Sequence, residues 1–313
     1  MEIFKITLIN VCTTLLFILP GFILGKTNKI KTFSLSGMSS LLVYVCMPIM
    51  IVSSFIQMKE FNKSDLYQMI LFLFVSLALQ IIFFIILYFI FKNKFENPKY
   101  RLFTVGSCLG NVGFFGLPLI KAILADYPVA ACFSCVYVCS MNVLVFTLGT
   151  FCITKDKSYI SLKKAFINPP AFGLIIALIF YSTNSYTYLP NELVNALDLI
   201  GSMTTPLCMI ILGARLANSK IKPLFTNKLL YLNILTKMII FPILCFLLVR
   251  FIPVLSYEFK ASILILGAAP CASMVLNLAE IKHQEEELSA QIVLVTTLAS
   301  FITIPLVTLL LTF

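Results

Sequence analysis

The chain has 313 residues, 60% of them hydrophobic and 12% charged, with a formal net charge of +10 and a mean hydropathy of +1.02. Apolar runs of roughly 18 or more residues recur from end to end, which excludes a soluble globular protein and leaves no stretch long enough for a separate soluble domain. The positive charge falls between these runs, where it marks cytoplasmic loops and not a nucleic-acid surface.

Ten apolar segments follow one another, at about 3–25, 33–56, 66–91, 101–124, 129–153, 168–184, 193–216, 228–252, 259–281 and 288–312. The first lacks a basic n-region and an A-x-A cleavage site, so it reads as a retained helix and not a signal peptide. The sixth is short and begins at Pro169-Pro170, which suit a helix N-terminus. Basic residues gather after segment one (Lys26, Lys29, Lys31), three (Lys92, Lys94, Lys99, Arg101), five (Lys155, Lys157, Lys163, Lys164) and seven (Arg215, Lys220, Lys222, Lys228). The even-numbered loops are poorer, with Lys59, Lys63, Lys121, Arg250 and Lys260. Odd loops are therefore expected in the cytoplasm, with both termini extracytoplasmic and the chain multi-pass in the cell membrane. The ninth loop is acidic (Glu285, Glu286, Glu287), but acidic residues count for little in this rule.

The most informative stretch lies in segment four, Gly110-Asn111-Val112-Gly113-Phe114-Phe115-Gly116-Leu117-Pro118-Leu119. Three glycines and a proline in nine residues make poor helix, since glycine costs about 1 kcal/mol against alanine and proline about 3. A bilayer tolerates such a break only where protein or a wet cavity covers it. The stretch therefore reads as the unwound centre of a discontinuous helix and half of a binding site.

Prolines supply the other half. Pro20 and Pro170 are 150 residues apart, Pro48 and Pro206 are 158 apart, and Pro118 and Pro270 are 152 apart. This near-constant lag divides the chain into two five-segment repeats, 1–154 and 155–313. An odd number of segments per repeat forces the second copy to be inverted, a recurring plan of secondary transporters. The second break then falls at Gly267-Ala268-Ala269-Pro270-Cys271-Ala272-Ser273 in segment nine. The expected fold is an all-α membrane protein of ten transmembrane helices in two inverted five-helix repeats, with broken helices four and nine crossing at the midplane. Helix pieces starting near Pro118 and Pro270 would turn N-terminal ends with free N–H groups toward the crossing, an arrangement that suits a carboxylate.

The candidate substrate site comprises Asn111, Gly113 and Pro118 from the first break and Pro270, Cys271, Ala272 and Ser273 from the second. Asn277 and Asn142 join it as polar groups in costly places. Asn111 either touches substrate or satisfies the broken backbone, and the two roles can coexist. Phe114, Phe115 and Ile120 are candidate apolar lining. Lys237 sits near the centre of an apolar segment, where it could attract an anion, exchange a proton, snorkel or pair with Asp198. Asp198 and Gln291 are further candidates for charge or ion coupling. Neither break contains Asp or Glu, which argues for an anion and against a cation site at the crossing itself. Cys132, Cys135 and Cys139 share one helical face and read as small packing residues, not metal ligands. His283 is the only histidine and falls in the ninth loop. No catalytic constellation, phosphate loop or metal-ligand spacing is present, so the chain reads as a carrier with no cofactor and not as an enzyme.

These residues resemble the auxin efflux carrier family. Gly110-Asn111-x-Gly113-Phe114-x-Gly116-x-Pro118-Leu119 is similar to the family's segment-four signature. Further matches are Tyr44-x-x-Met47-Pro48, Asn142 with Thr147-Leu148-Gly149, Asn168-Pro169-Pro170, Pro206-Leu207 with Leu212-Gly213-Ala214, Pro270-x-Ala272 with Ala279, Glu287-Leu288, Thr297-Leu298-x-Ser300 and Thr303-x-Pro305. The resemblance covers nearly the whole chain. It implies an elevator-like carrier of organic anions, with helices 1, 2, 6 and 7 as a scaffold that often dimerises and helices 3–5 and 8–10 as the transport domain. It also implies that Asn111, Pro118 and Pro270 build the crossover site. Prokaryotic relatives include malate and malonate permeases, the nearest substrate guess. The fifth loop is only about fifteen residues, so the long central loop of the plant members has no counterpart. The expected function is a secondary transporter of a small organic anion, a carboxylate. The alternative is a sodium- or proton-coupled exchanger or symporter of the same architecture, served by Asp198, Asn142 and Gln291.

Overall fold

The computed structural model describes residues 2–58, 62–217, 224, 226–281 and 283–312. Lys59, Lys220 and Lys222, counted above among the loop cations, lie outside the described residues. In chain order the main helices are α1 (Glu2–Lys26), α2 (Phe33–Ile56), α3 (Lys63–Lys94), α4 (Pro98–Cys108), α5 (Val112–Ile123), α6 (Pro128–Thr154), α7 (Pro169–Ser182), α8 (Asn191–Ala217), α9 (Lys228–Arg250), α10 (Tyr257–Gly267), α11 (Met274–Glu280) and α12 (Glu286–Leu311). Among the described residues, eight helical runs are long and apolar enough to cross a membrane, one of them formed by α7 with the short turns before it. The chain is thus an all-helical, multi-pass membrane protein. The only β-type pairing among the described residues is an isolated antiparallel bridge between Gly110 and Cys271.

Helix starts follow from short polar residues at the caps. Asn62 accepts a hydrogen bond from the Ser64 amide, Asn97 from Lys99, Asn168 from Ala171, Asn227 from Leu229 and Ser256 from Phe259. Each supplies an acceptor to amides that have no intrahelical partner. Pro98 and Pro169 occupy the first turn, where a missing N–H costs nothing.

Three prolines inside the helices have a different effect. Leu42–Cys46 in α2, Val112–Gly116 in α5 and Leu235–Ile240 in α9 are π-helical turns, and each is followed within two residues by a proline: Pro48, Pro118 and Pro242. A proline ring collides with the carbonyl one turn back, and widening that turn relieves the collision. This corrects one expectation. The helical piece after the first interruption starts at Val112, and the π-turn absorbs Pro118 within it. The piece after the second interruption starts at Met274, not near Pro270.

Glycines let α1, α2, α7 and α8 approach backbone to backbone. A methyl group at Gly21 would lie 2.0 Å from the Ile210 carbonyl oxygen, and one at Gly213 would lie 2.1 Å from that of Ile18. One at Gly173 in α7 would lie 2.7 Å from Pro48 Cα in α2. The Asp198 carboxylate of α8 accepts hydrogen bonds from the Ser53 hydroxyl of α2 and, at 3.1 Å, from the side-chain amide of Gln57, just beyond the end of α2.

The remaining helices join through aromatic and polar contacts. Phe72 of α3 stacks on Phe133 of α6 with centroids 4.6 Å apart, and Phe259 of α10 meets the Phe72 ring edge-on at 4.7 Å. The Ser76 hydroxyl of α3 donates to Ser140 of α6 at 2.9 Å. The most buried of the long helices is α6, whose outer faces are covered by α3, α5 and α10. Large exposed apolar side chains such as Phe74, Phe172 and Leu199 lie on faces that lipid would cover.

Candidate functional site

Between α4 and α5, and again between α10 and α11, the chain leaves helical geometry. These two extended pieces pair with each other. The Asn111 amide donates to the Pro270 carbonyl at 2.7 Å, and the Ala272 amide donates to the Leu109 carbonyl at 3.0 Å. Asn111 has φ −77° and ψ 58°, and the Val112 amide donates back to the Gly110 carbonyl at 2.8 Å, so Asn111 is the centre of an inverse γ-turn. The other freed groups find partners on three surrounding helices. Ser134 of α6 donates to the Val112 carbonyl at 2.8 Å, and Thr296 of α12 accepts from the Cys271 amide at 3.0 Å. Lys237 of α9 donates to the Gly267 carbonyl at 2.9 Å. An unpaired backbone group in a dry interior costs as much as a lost hydrogen bond, so this set of partners is what makes two adjacent interruptions tolerable.

The Asn111 side chain takes no part in these backbone bonds. It is mostly buried and lies beside the Cys208 thiol of α8. Asn111 therefore repairs the break with its main chain and leaves its amide facing α8.

Asn111 borders a cavity of about 810 Å³ between these paired extended segments and helices α2, α7 and α8. Gly110, Asn111, Gly113 and Phe114 form one wall and Ala272, Ser273 and Asn277 another. Asn142 of α6 lies on a third side, with its amide donating to Asn168 at 3.3 Å. The Asn277 side chain is exposed, with only a 3.7 Å contact to Met274 sulfur. Apolar side chains, Met47 and Ile211 among them, line most of the rest. Among the described lining residues there are two cations, Lys164 and Arg215, and no carboxylate.

Lys164 and Arg215 are absent from the sequence-based site. They read as loop cations, the signal that sets orientation, and nothing in their spacing ties them to the break. Asn168, which the sequence offered only within the Asn168-Pro169-Pro170 resemblance, caps α7 and also lines the cavity.

Other sequence candidates lie elsewhere. Pro118, Pro270 and Cys271 belong to the interrupted helices but do not line the cavity. Phe115 and Ile120, expected as lining, are buried in packing instead. Lys237 is wholly buried, with its Nζ 4.5 Å from the Phe241 ring centroid, and it neither snorkels nor meets Asp198. Asp198 is held by Ser53 and Gln57, and Gln291 donates to Glu287 at 3.4 Å, so Asp198, Asn142 and Gln291 each have separate partners.

A model of the membrane transport protein family matches residues 6–158 and again 153–308. The chain is also 26% identical over 311 residues to an uncharacterized transporter of Methanocaldococcus jannaschii, covering 95% of this chain and 96% of that protein. With both halves matched by one family, this all-helical membrane protein is a transporter and belongs to the auxin efflux carrier family of membrane transport proteins.

Proposed function

We propose that the protein is a secondary transporter of a small organic anion, a carboxylate, which it holds in the cavity beside the crossing. The observation that carries this reading is the charge of the cavity wall: Lys164 and Arg215 with no described carboxylate, next to the amides of Asn111, Asn142 and Asn277. A site with cations and neutral donors favours a carboxylate and offers a cation no charged ligand. The apolar remainder suits the carbon body of the anion.

The movement we infer is elevator-type alternating access across ten membrane crossings. The close glycine contacts of α1 with α8 and of α2 with α7 support these four as a scaffold. They also support the inverted repeat, because segment one against seven is the counterpart of segment six against two. The transport domain would be α3–α6 with α9–α12, carrying Gly113, Pro118, Pro270 and Cys271 as parts of its crossing. On the orientation read from loop charge, the cavity opens toward the cytoplasm, and the termini are extracytoplasmic. Malate and malonate remain the first substrates to try, and a homodimer through the scaffold is the assembly to test. Lys237 and Gln291 would act from behind the cavity, not on the anion directly.

The test is uptake of labelled carboxylates into proteoliposomes. Malonate or malate should accumulate or exchange in vesicles with the protein and not in empty ones; no carboxylate flux under any gradient would contradict the reading. Arg215→Gln and Lys164→Gln should each raise KM about 3- to 10-fold with little change in maximal rate. The effect should shrink as salt screens the rim charges. The coupled-exchanger alternative predicts dependence on sodium or a proton gradient, and Asp198→Asn would then abolish transport. On the anion reading, Asp198→Asn should leave uptake within about twofold, because the carboxylate serves contacts between α2 and α8.

A further inference from the structure

The crossing has a second side. Away from the cavity, the C-terminal ends of α4 and α10 converge near Lys237, which is fully buried in α9. Its ammonium donates to the carbonyl of Gly267, the last residue of α10, at 2.9 Å. A methyl group at Gly110, two residues beyond the end of α4, would lie 3.1 Å from the same nitrogen. Around it stand the Phe241 ring and the thiols of Cys108, Cys245 and Cys271. Among the described residues no carboxylate reaches it. One turn earlier on α9, the buried Asn233 leaves its Oδ1 without a hydrogen-bond partner, while its amide donates to Ser107 of α4 at 2.9 Å.

A buried lysine without a counter-ion is costly unless something negative offsets it. Among the described groups, the carbonyl ends of two helices, each equivalent to roughly half a negative charge, offset it together with the face of the Phe241 ring. Two such ends brought together in a dry interior repel each other and draw in a cation. We propose that Lys237 is that cation, built into the chain: a positioning residue that neutralises the ends of α4 and α10 and so fixes Gly110 and Asn111 against the second break. The crossing then needs no inorganic ion to hold together. The proposal stands apart from the anion reading.

The test is the thermal unfolding of purified full-length protein without any carboxylate, in choline chloride and then with choline replaced by sodium or methylammonium at constant ionic strength. Wild-type protein should melt at one temperature in all three. Lys237→Ala, which opens a space for a small cation, should melt at least about 5 °C lower in choline and recover saturably in sodium or methylammonium. Lys237→Met, which fills the space without charge, should lose stability and not recover, whereas Lys237→Arg should retain most of it. A methionine variant as stable as wild type would overturn the proposal. So would an arginine variant as unstable as the methionine one, or an alanine variant that no cation restores. If the alanine variant cannot be purified, the comparison of arginine with methionine decides. Because no carboxylate is present, these outcomes do not depend on what the protein carries.

Discussion

Asn111→Ala is expected to weaken carboxylate binding by about 10- to 100-fold, and to cut transport with it, while leaving a folded, membrane-inserted protein. The folded state survives because the bonds that close the two breaks come from the Asn111 main chain with Pro270, Leu109 and Ser134 at the first, and from Thr296 and Lys237 at the second. What alanine deletes is the amide beside Cys208 at the cavity wall. A hydrogen bond to a charged group is worth about 1.5–3 kcal/mol, which converts to roughly 10- to 100-fold in affinity. Asn111→Asp is the sharper companion. It keeps the size and shape, but puts a negative charge where the anion is held, so binding should fall at least as far. Melting temperature and size-exclusion profile, measured beside uptake, separate the loss of a ligand contact from the loss of the fold.

The second large effect concerns the scaffold. Gly213→Leu, or Gly21→Leu, is expected to yield aggregated protein. The added Cβ at Gly213 would meet the Ile18 carbonyl oxygen at 2.1 Å and the Phe22 nitrogen at 2.8 Å; at Gly21 it would meet the Ile210 carbonyl oxygen at 2.0 Å. Both obstacles are backbone atoms of a neighbouring helix, so no rotamer change relieves them. Overpacking a core typically costs about 1–3 kcal/mol, and a clash between two rigid backbones lies at or beyond the upper end. Close helix approach through small residues is also how membrane helices gain their packing energy. Gly37→Leu is the control: nothing lies within 4 Å of its added Cβ, and detergent-extracted protein should stay monodisperse.

Some of this was legible in the sequence because it is local chemistry. The glycines and prolines at 110–118 and 267–273 mark disturbed helix, and the chain leaves helical geometry at 109–111 and 268–273, although Gly113, Gly116 and Pro118 lie inside α5. Pro169-Pro170 likewise announce a helix start without reference to any neighbour, and α7 begins there. Pro118 shows the limit of such reasoning. Its composition says only that the helix is disturbed; whether the chain breaks there or widens into a π-turn depends on the surrounding helices.

The groups that decide the chemistry were less legible because they depend on contacts distant in sequence. Whether Asn111 spends its side chain on the backbone depends on Ser134, Thr296 and Lys237, which lie on three other helices. Lys237 could pair with Asp198 as far as sequence can say, yet Asp198 is taken up by Ser53 and Gln57. Arg215 and Lys164 look like any other cytoplasmic anchors until α8 and the segment before α7 bring them to one cavity. Phe115 and Ile120 share a helix with Phe114, but only Phe114 faces the open space.

The most direct test of a carboxylate-binding cavity is a thermal-unfolding titration of wild type and Asn111→Ala against a panel of mono- and dicarboxylates. A ligand present at 100 times its Kd stabilises the folded state by about 2.7 kcal/mol, enough to move a melting curve visibly. The account predicts that at least one carboxylate raises the wild-type melting temperature saturably, and that Asn111→Ala needs about 10- to 100-fold more of it for the same shift. A panel in which no carboxylate stabilises the wild type, or one that stabilises both proteins equally, would contradict it.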